Sequence, residues 1–237
     1  MPLNQCNLDL SLRQLIDEPP RKLVFLARSF GKHALELGNP IPERPLYFLK
    51  SPSALITPPA EVVIPSGGGE VHYEAEVAVL LSAPLYKASA DEAERAIGGW
   101  TILNDVTLRS AQREDQGRFT RAKGYDTFCP ICPDLVPTLD WRRAHIQGWL
   151  NGALVQSAPL TDMIFTPGEA LAAISEVMTL NPGDLISFGT PSGVGPLKAG
   201  DSFEVRLCLE ETDEEVGQGH EVLREVLSLS HGVSASV

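Results

Sequence analysis

The segment Val71-His-Tyr-Glu-Ala-Glu-Val-Ala-Val-Leu-Leu81 constrains the fold more than any other stretch of the chain. Its second half, Val77 to Leu81, is apolar at every position, which predicts a strand covered on both faces at the centre of a sheet. Its first half is polar in alternation. On a strand, alternate side chains share a face, so His72, Glu74 and Glu76 project together just ahead of the buried run. Carboxylates about 7 Å apart on one strand face repel each other unless they are exposed, protonated or bridged by a cation. An exposed polar strand end and a cation site are therefore the two alternatives.

Gly and Pro contribute 20 and 19 of the 237 residues, about a sixth of the chain against a usual share near 12%. That excess favours many short strands and turns over a helix bundle, so the expected class is mainly β with short helices (α+β). Strands are predicted at Lys22–Ala27, Val71–Leu81, Gly98–Leu103, Gly148–Val155, Leu185–Phe188 and, as the last of them, Phe203–Leu209. Helical composition lies at Ala90–Ile97, Val106–Gln116 and from Pro167 to Met178, with one or two turns in Arg28–Gly38. Residues 1–45 read as a small N-terminal segment and 46–209 as the main domain. Residues 210–237, opening on the acidic run Glu210–Glu215, read as a mobile tail.

The formal charge of −12 argues against a nucleic-acid partner or a polybasic membrane contact, since both need dense positive charge. No apolar run reaches the roughly 18 to 20 residues of a transmembrane helix, and the first residues lack a signal peptide's basic start. The expected compartment is the cytoplasm. Cys6, Cys129, Cys132 and Cys208 are too few and scattered for a disulfide framework and are expected as thiols. Cys129-Pro-Ile-Cys132 has redox spacing, but Pro133 follows directly and no second pair completes a zinc site.

Asp105 stands at an element boundary in Leu103-Asn-Asp-Val-Thr107, where an Asp also serves as a helix cap. With Glu74 and Glu76 it supplies three carboxylates, a set suited to a hard ion such as Mg²⁺ or Mn²⁺. Five basic residues, Arg109, Arg113, Arg118, Arg121 and Lys123, follow within fifteen positions. They suit either an anionic substrate under a lid hinged at Gly117 or a solvated helix face balanced by Glu114 and Asp115.

Six ordered motifs carry a resemblance: Phe25 to Gly38 with His33 and Glu36, Phe48-Leu-Lys50, His72 to Glu76, Asn104 to Arg109, Ala122 to Pro130, and Gly189-Thr-Pro-Ser-Gly-Val-Gly-Pro196. Together, over roughly residues 22 to 209, they resemble the fumarylacetoacetate hydrolase family. The resemblance implies that family's mixed β-sandwich roll, a homodimer with Trp100, Trp141 or Trp149 as candidates for its interface, and a small anionic 2-oxo acid as substrate. Glu74, Glu76 and Asp105 fall on its metal ligands, with Mg²⁺ or Mn²⁺ as cofactor. Lys123 falls on the lysine beside the metal, Gln112 on a glutamine that positions water or enolate, and His33 with Glu36 on the pair that activates water. Arg109, Gly189 and Thr190 are the expected substrate-binding residues.

The reaction implied is hydrolysis of a C–C bond in a 2,4-dioxo acid of acylpyruvate type. Isomerisation or decarboxylation of an unsaturated dicarboxylate from aromatic breakdown, or decarboxylation of oxaloacetate, is the alternative, and a cation-binding scaffold without catalysis is the non-enzyme one. Cys132 stands where relatives usually carry Gly, and the chain after Leu209 departs from the family's usual ending.

Overall fold

A computed structural model of the chain describes residues 20–31, 41–211 and 222–236. In chain order the strands are β1 (Leu23–Ala27), β2 (Leu46–Lys50), β3 (Leu55–Ile56), β4 (Val62–Ile64), β5 (Val71–Tyr73), β6 (Ala75–Leu81), β7 (Ile97–Asn104) and β8 (Thr107–Leu108). They continue as β9 (Cys129–Pro130), β10 (Ala144–Leu150), β11 (Ala153–Pro159), β12 (Leu185–Ser187), β13 (Gly195–Pro196), β14 (Ser202–Glu211) and β15 (Val222–Ala235). The short helices are α1 (Ala90–Arg95), α2 (Arg109–Glu114), α3 (Thr120–Lys123) and α4 (Pro167–Ser175). This is the expected mainly β, α+β class.

Two five-stranded sheets dominate, ordered β2-β1-β12-β6-β7 and β11-β10-β14-β15-β4, with smaller sheets β13-β5-β8 and β3-β9. As its apolar run demands, β6 is buried at all seven positions. Val77, Val79 and Leu81 enter the main core between the large sheets, while Ala78 and Leu80 pack on the other face with Leu23, Phe25 and Leu185. The helices start where local chemistry dictates: Ser89 with Glu92 and Thr166 with Glu169 form capping boxes ahead of α1 and α4.

Four expectations are corrected. The strand predicted over Val71–Leu81 is divided at Glu74, because β5 pairs with β13 and β8 whereas β6 pairs with β12 and β7. At the division the Asn104 side chain takes over from the ladder, accepting from Glu74 N at 2.8 Å. The strand predicted over Gly148–Val155 is the hairpin β10–β11, turning at Asn151 (φ 50°) and Gly152 (φ 80°), the positive angles that an Asn-Gly turn favours. The boundary at residue 45 falls inside a sheet, since β1 pairs with both β2 and β12.

The mobile C-terminal tail is the fourth. Residues 222–235 form a fourteen-residue strand, antiparallel to β14 and parallel to β4. The cause is a period-two pattern, with Leu227, Leu229, His231 and Val233 all facing inward. Trp100 and Trp141 are also buried within the chain, which removes them as interface anchors.

Burial lowers the His231 imidazole from 6.5 to about 4, so the folded chain holds it neutral. That contribution to stability is complete above pH 6.5 and is lost as pH falls through 4, at a total cost of about 3 kcal/mol. Denaturation midpoints measured from pH 7 to pH 4 should fall more steeply for the native chain than for His231→Gln; parallel curves would contradict the assignment.

Cys129, Cys132 and Cys208 are buried free thiols. Burial pushes Cys129 up to about 12 and raises Cys132 as well, opposite to what a redox pair requires. Among the described residues no helix is long and apolar enough to cross a membrane.

Candidate metal centre and active-site pocket

Glu74, Glu76 and Asp105 meet where β5 gives way to β6 and where β7 ends. Each offers a carboxylate oxygen within 4.8 Å of the others, and all three residues are buried. The backbone fixes this meeting, because Asp105 N donates to Glu74 O at 2.9 Å and Glu74 N donates to Asn104 Oδ1 at 2.8 Å. The helix-cap alternative for Asp105 is thereby set aside: its side chain is bound by two lysines.

Lys123 Nζ donates to Asp105 Oδ2 (2.5 Å), Glu74 Oε2 (2.8 Å) and Thr107 Oγ1 (2.7 Å). Burial alone would lower this ammonium, but Asp105 and Glu74 outweigh it and hold the group above the ordinary lysine range. Lys50, a residue the sequence reading left without a role, donates to Asp105 Oδ1 (2.5 Å) and to Phe128 O (2.6 Å). Its side chain is fully buried, so only a paired ammonium is tolerable there. Arg109 pairs with Glu74 and donates to Gln112 Oε1 at 3.0 Å.

Glu76 differs from its neighbours. It is 1% exposed and its Oε2 accepts from a hydroxyl, Ser187 Oγ, at 2.5 Å. Burial, and then the carboxylates of Asp105 and Glu74, push its carboxyl well above the usual carboxylate range. A buried carboxylate under such pressure requires a proton or a cation. Three oxygen donors converging on one point, with the nearby thiol of Cys129 protonated, fit a hard divalent ion such as Mg²⁺ or Mn²⁺.

The acids open into a cavity of about 370 Å³. Glu74, Glu76, Lys123, Arg109, Gln112 and Thr190 line it, and the stacked rings of Phe48 and Phe119 close one side. Asp105 lies behind this lining. His72, expected on the same face as the acids, lines the same cavity and shares a hydrogen bond of 2.8 Å with Glu70, which also pairs with Arg113 at the rim.

The basic segment divides into two faces. Arg109 and Lys123 reach the acids, whereas Arg121 binds Glu114 and Asp115 on the outer surface. The Thr190 hydroxyl donates to Ala75 O (2.9 Å) and accepts from Gln156 Nε2 (2.8 Å), so its proton is committed to the scaffold. Gly189 is likewise structural. Its φ of 82° is left-handed, and a Cβ there would lie 2.1 Å from Ser29 Oγ, which itself donates to Phe188 O. Gly189→Ala is expected to destabilise the chain by about 2 kcal/mol or more, read as a fall in the denaturation midpoint. His33 and Glu36 lie outside the described residues, although Arg28, five positions before His33, lines the cavity.

Residues 22–223 match the family described as fumarylacetoacetate (FAA) hydrolase, C-terminal. The chain is 35% identical over 197 residues to the oxaloacetate tautomerase of Escherichia coli, covering 81% of this chain and 90% of that protein. It is 33% identical over 219 residues to a 2,4-didehydro-3-deoxy-L-rhamnonate hydrolase of a Sphingomonas species, covering 84% and 77%. Among solved structures, the 5-carboxymethyl-2-hydroxymuconate delta-isomerase of Mycobacterium smegmatis superposes with a TM-score of 0.78 at 34% identity, covering 92% of this chain and 80% of that one. With the family match spanning most of the sequence and the fold shared at this identity, the chain belongs to the fumarylacetoacetate hydrolase family.

Proposed function

We propose that the protein catalyses enolate chemistry on a short 2-oxo dicarboxylic acid, of oxaloacetate or acylpyruvate kind, with a divalent cation as cofactor. The observation that carries this reading is the buried ammonium of Lys123 beside three converging carboxylates at the wall of a cavity. Held by Glu74, Glu76 and Asp105, Mg²⁺ or Mn²⁺ would supply Lewis acidity toward the 2-oxo group.

The chain's own residues supply the rest. Lys50, Lys123 and Arg109 offset the three acids one for one, so a divalent ion leaves the centre with surplus positive charge. A dicarboxylate, or the enolate formed from it, neutralises that surplus beside the buried acids. Lys123 faces the charge that develops on the substrate. Arg109 holds Gln112 by its oxygen, which leaves the amide NH₂ end for a substrate oxygen. Two of the relatives' names, a tautomerase of oxaloacetate and a delta-isomerase, support that class of chemistry.

Turnover of oxaloacetate, acetylpyruvate and a 2-oxohept-3-ene-dioate by the purified protein, with and without Mg²⁺, tests the reading. Metal-dependent turnover of at least one is expected, abolished by chelation. No turnover of any of the three, or a Glu76→Ala variant as active as the native chain, would overturn it.

Hydrolysis is the second reading, favoured by the place of Arg28 in the cavity wall just before His33 and Glu36 in sequence. In this reading the His33–Glu36 pair delivers water to the distal carbonyl. His33→Ala should then abolish acetylpyruvate hydrolysis, by about 10²-fold or more, and largely spare oxaloacetate tautomerisation and decarboxylation. Equal loss of all three activities would refute that role.

A further inference from the structure

β15 continues beyond residue 223, where the family match ends, and it places one polar side chain against the metal centre. His231 is 4% exposed and sits opposite Phe203 of β14. Its Nε2 lies 2.9 Å from Asn104 Nδ2, and its Nδ1 lies 3.1 Å from Gly232 O. One tautomer satisfies both contacts: Nδ1–H donates to the carbonyl, and Nε2 accepts from the Asn104 amide. The orientation of Asn104 is fixed independently, because its Oδ1 accepts from Glu74 N at 2.8 Å and its Nδ2 must therefore face His231.

Asn104 thus joins two ligand positions: it binds the backbone of Glu74 and is the residue immediately before Asp105. A second route runs through rings. His231 packs on Phe203 (6.1 Å between centroids), and Phe203 stacks on Tyr73 (4.5 Å), the residue immediately before Glu74. We infer that His231 is a positioning residue for the metal centre, fixing the Asn104 amide so that the Glu74 and Asp105 carboxylates stay converged. The inference rests on the proposed metal centre and extends it to a strand outside the family match. Without an acceptor at Nε2, the buried Asn104 Nδ2 is left without its partner and the amide is held only by the Glu74 N–H, which loosens it at the point where β5 and β6 divide.

Mn²⁺ binding to the full chain, titrated by electron paramagnetic resonance, provides the test. His231→Phe keeps a ring against Phe203 but has no acceptor, and His231→Gln keeps an acceptor. Leu229→Ala weakens the packing of β15, where Leu229 is buried, without touching Asn104. His231→Phe is expected to bind Mn²⁺ about 10-fold more weakly or worse, and His231→Gln within about 3-fold of the native chain, as for other groups that orient metal ligands. Leu229→Ala should lower the denaturation midpoint and leave the affinity unchanged. Should His231→Phe fail to fold, His231→Leu replaces it with the same expectation.

Native affinity in the variant lacking the acceptor, or an equal loss in Leu229→Ala, would overturn the positioning role while leaving the metal centre in place. No Mn²⁺ binding by the native chain would overturn the centre, and this inference with it.

Discussion

Glu76→Gln is expected to lower metal-dependent turnover by about 10³-fold or more, some 4 kcal/mol of barrier, and at the same time to raise the denaturation midpoint of the metal-free protein. The two effects have one cause. Glu76 is buried beside the carboxylates of Asp105 and Glu74, and in the absence of a cation their opposition outweighs the support its charge receives from Lys123 and the Ser187 hydroxyl. An amide of the same shape removes that opposition and keeps an oxygen for the Ser187 hydroxyl. It also removes a hard anionic donor from the ion's coordination. Activity and thermal denaturation of the two proteins, each with and without Mg²⁺, check this directly. A variant both inactive and less stable without metal would point to a scaffold role for Glu76.

Lys123→Met should act in the opposite sense on stability. Removing the ammonium leaves Glu74 and Asp105 without the group that donates to both, and breaking a buried ion pair from one side costs about 3–5 kcal/mol. Turnover should fall by about 10²–10³-fold, the usual loss when one donor toward developing negative charge is deleted. Mn²⁺ binding should persist, because the variant retains all three oxygen donors and loses a competing cation. The combination of impaired stability, impaired turnover and retained metal separates Lys123 from the ligands. Loss of Mn²⁺ binding in Lys123→Met would instead make the lysine part of the ion's support.

Much of this centre is written locally in the chain. Glu74 and Glu76 are marked by a strand that turns from polar to wholly apolar, and Asp105 by its place at a strand end, because such patterns report backbone periodicity and burial directly. Lys50 and His231 were not legible in the same way. A lysine after Phe48-Leu49 looks like any strand-end charge until the fold brings it against Asp105, 55 positions away. His231 contacts Asn104 across 127 positions, and no local pattern encodes a pairing at that separation.

The C-terminal strand is a different case. Its alternation of Leu227, Leu229, His231 and Val233 was present in the sequence, but serine at intervening positions and the acidic run before it gave the segment the composition of a tail. The hairpin at Asn151-Gly152 was equally visible as a turn signal. At Glu74 the reverse holds. Nothing in the period-two pattern announces a break there, because the interruption comes from Asn104 on the neighbouring strand.

The most direct test of the metal centre is the stoichiometry of Mn²⁺ binding to the purified chain, measured in parallel with Glu76→Gln. One ion bound per chain by the native protein and none by the variant is the expected result. A native chain that binds no ion, or a variant that binds it as tightly, would contradict the assignment of Glu74, Glu76 and Asp105 as its ligands.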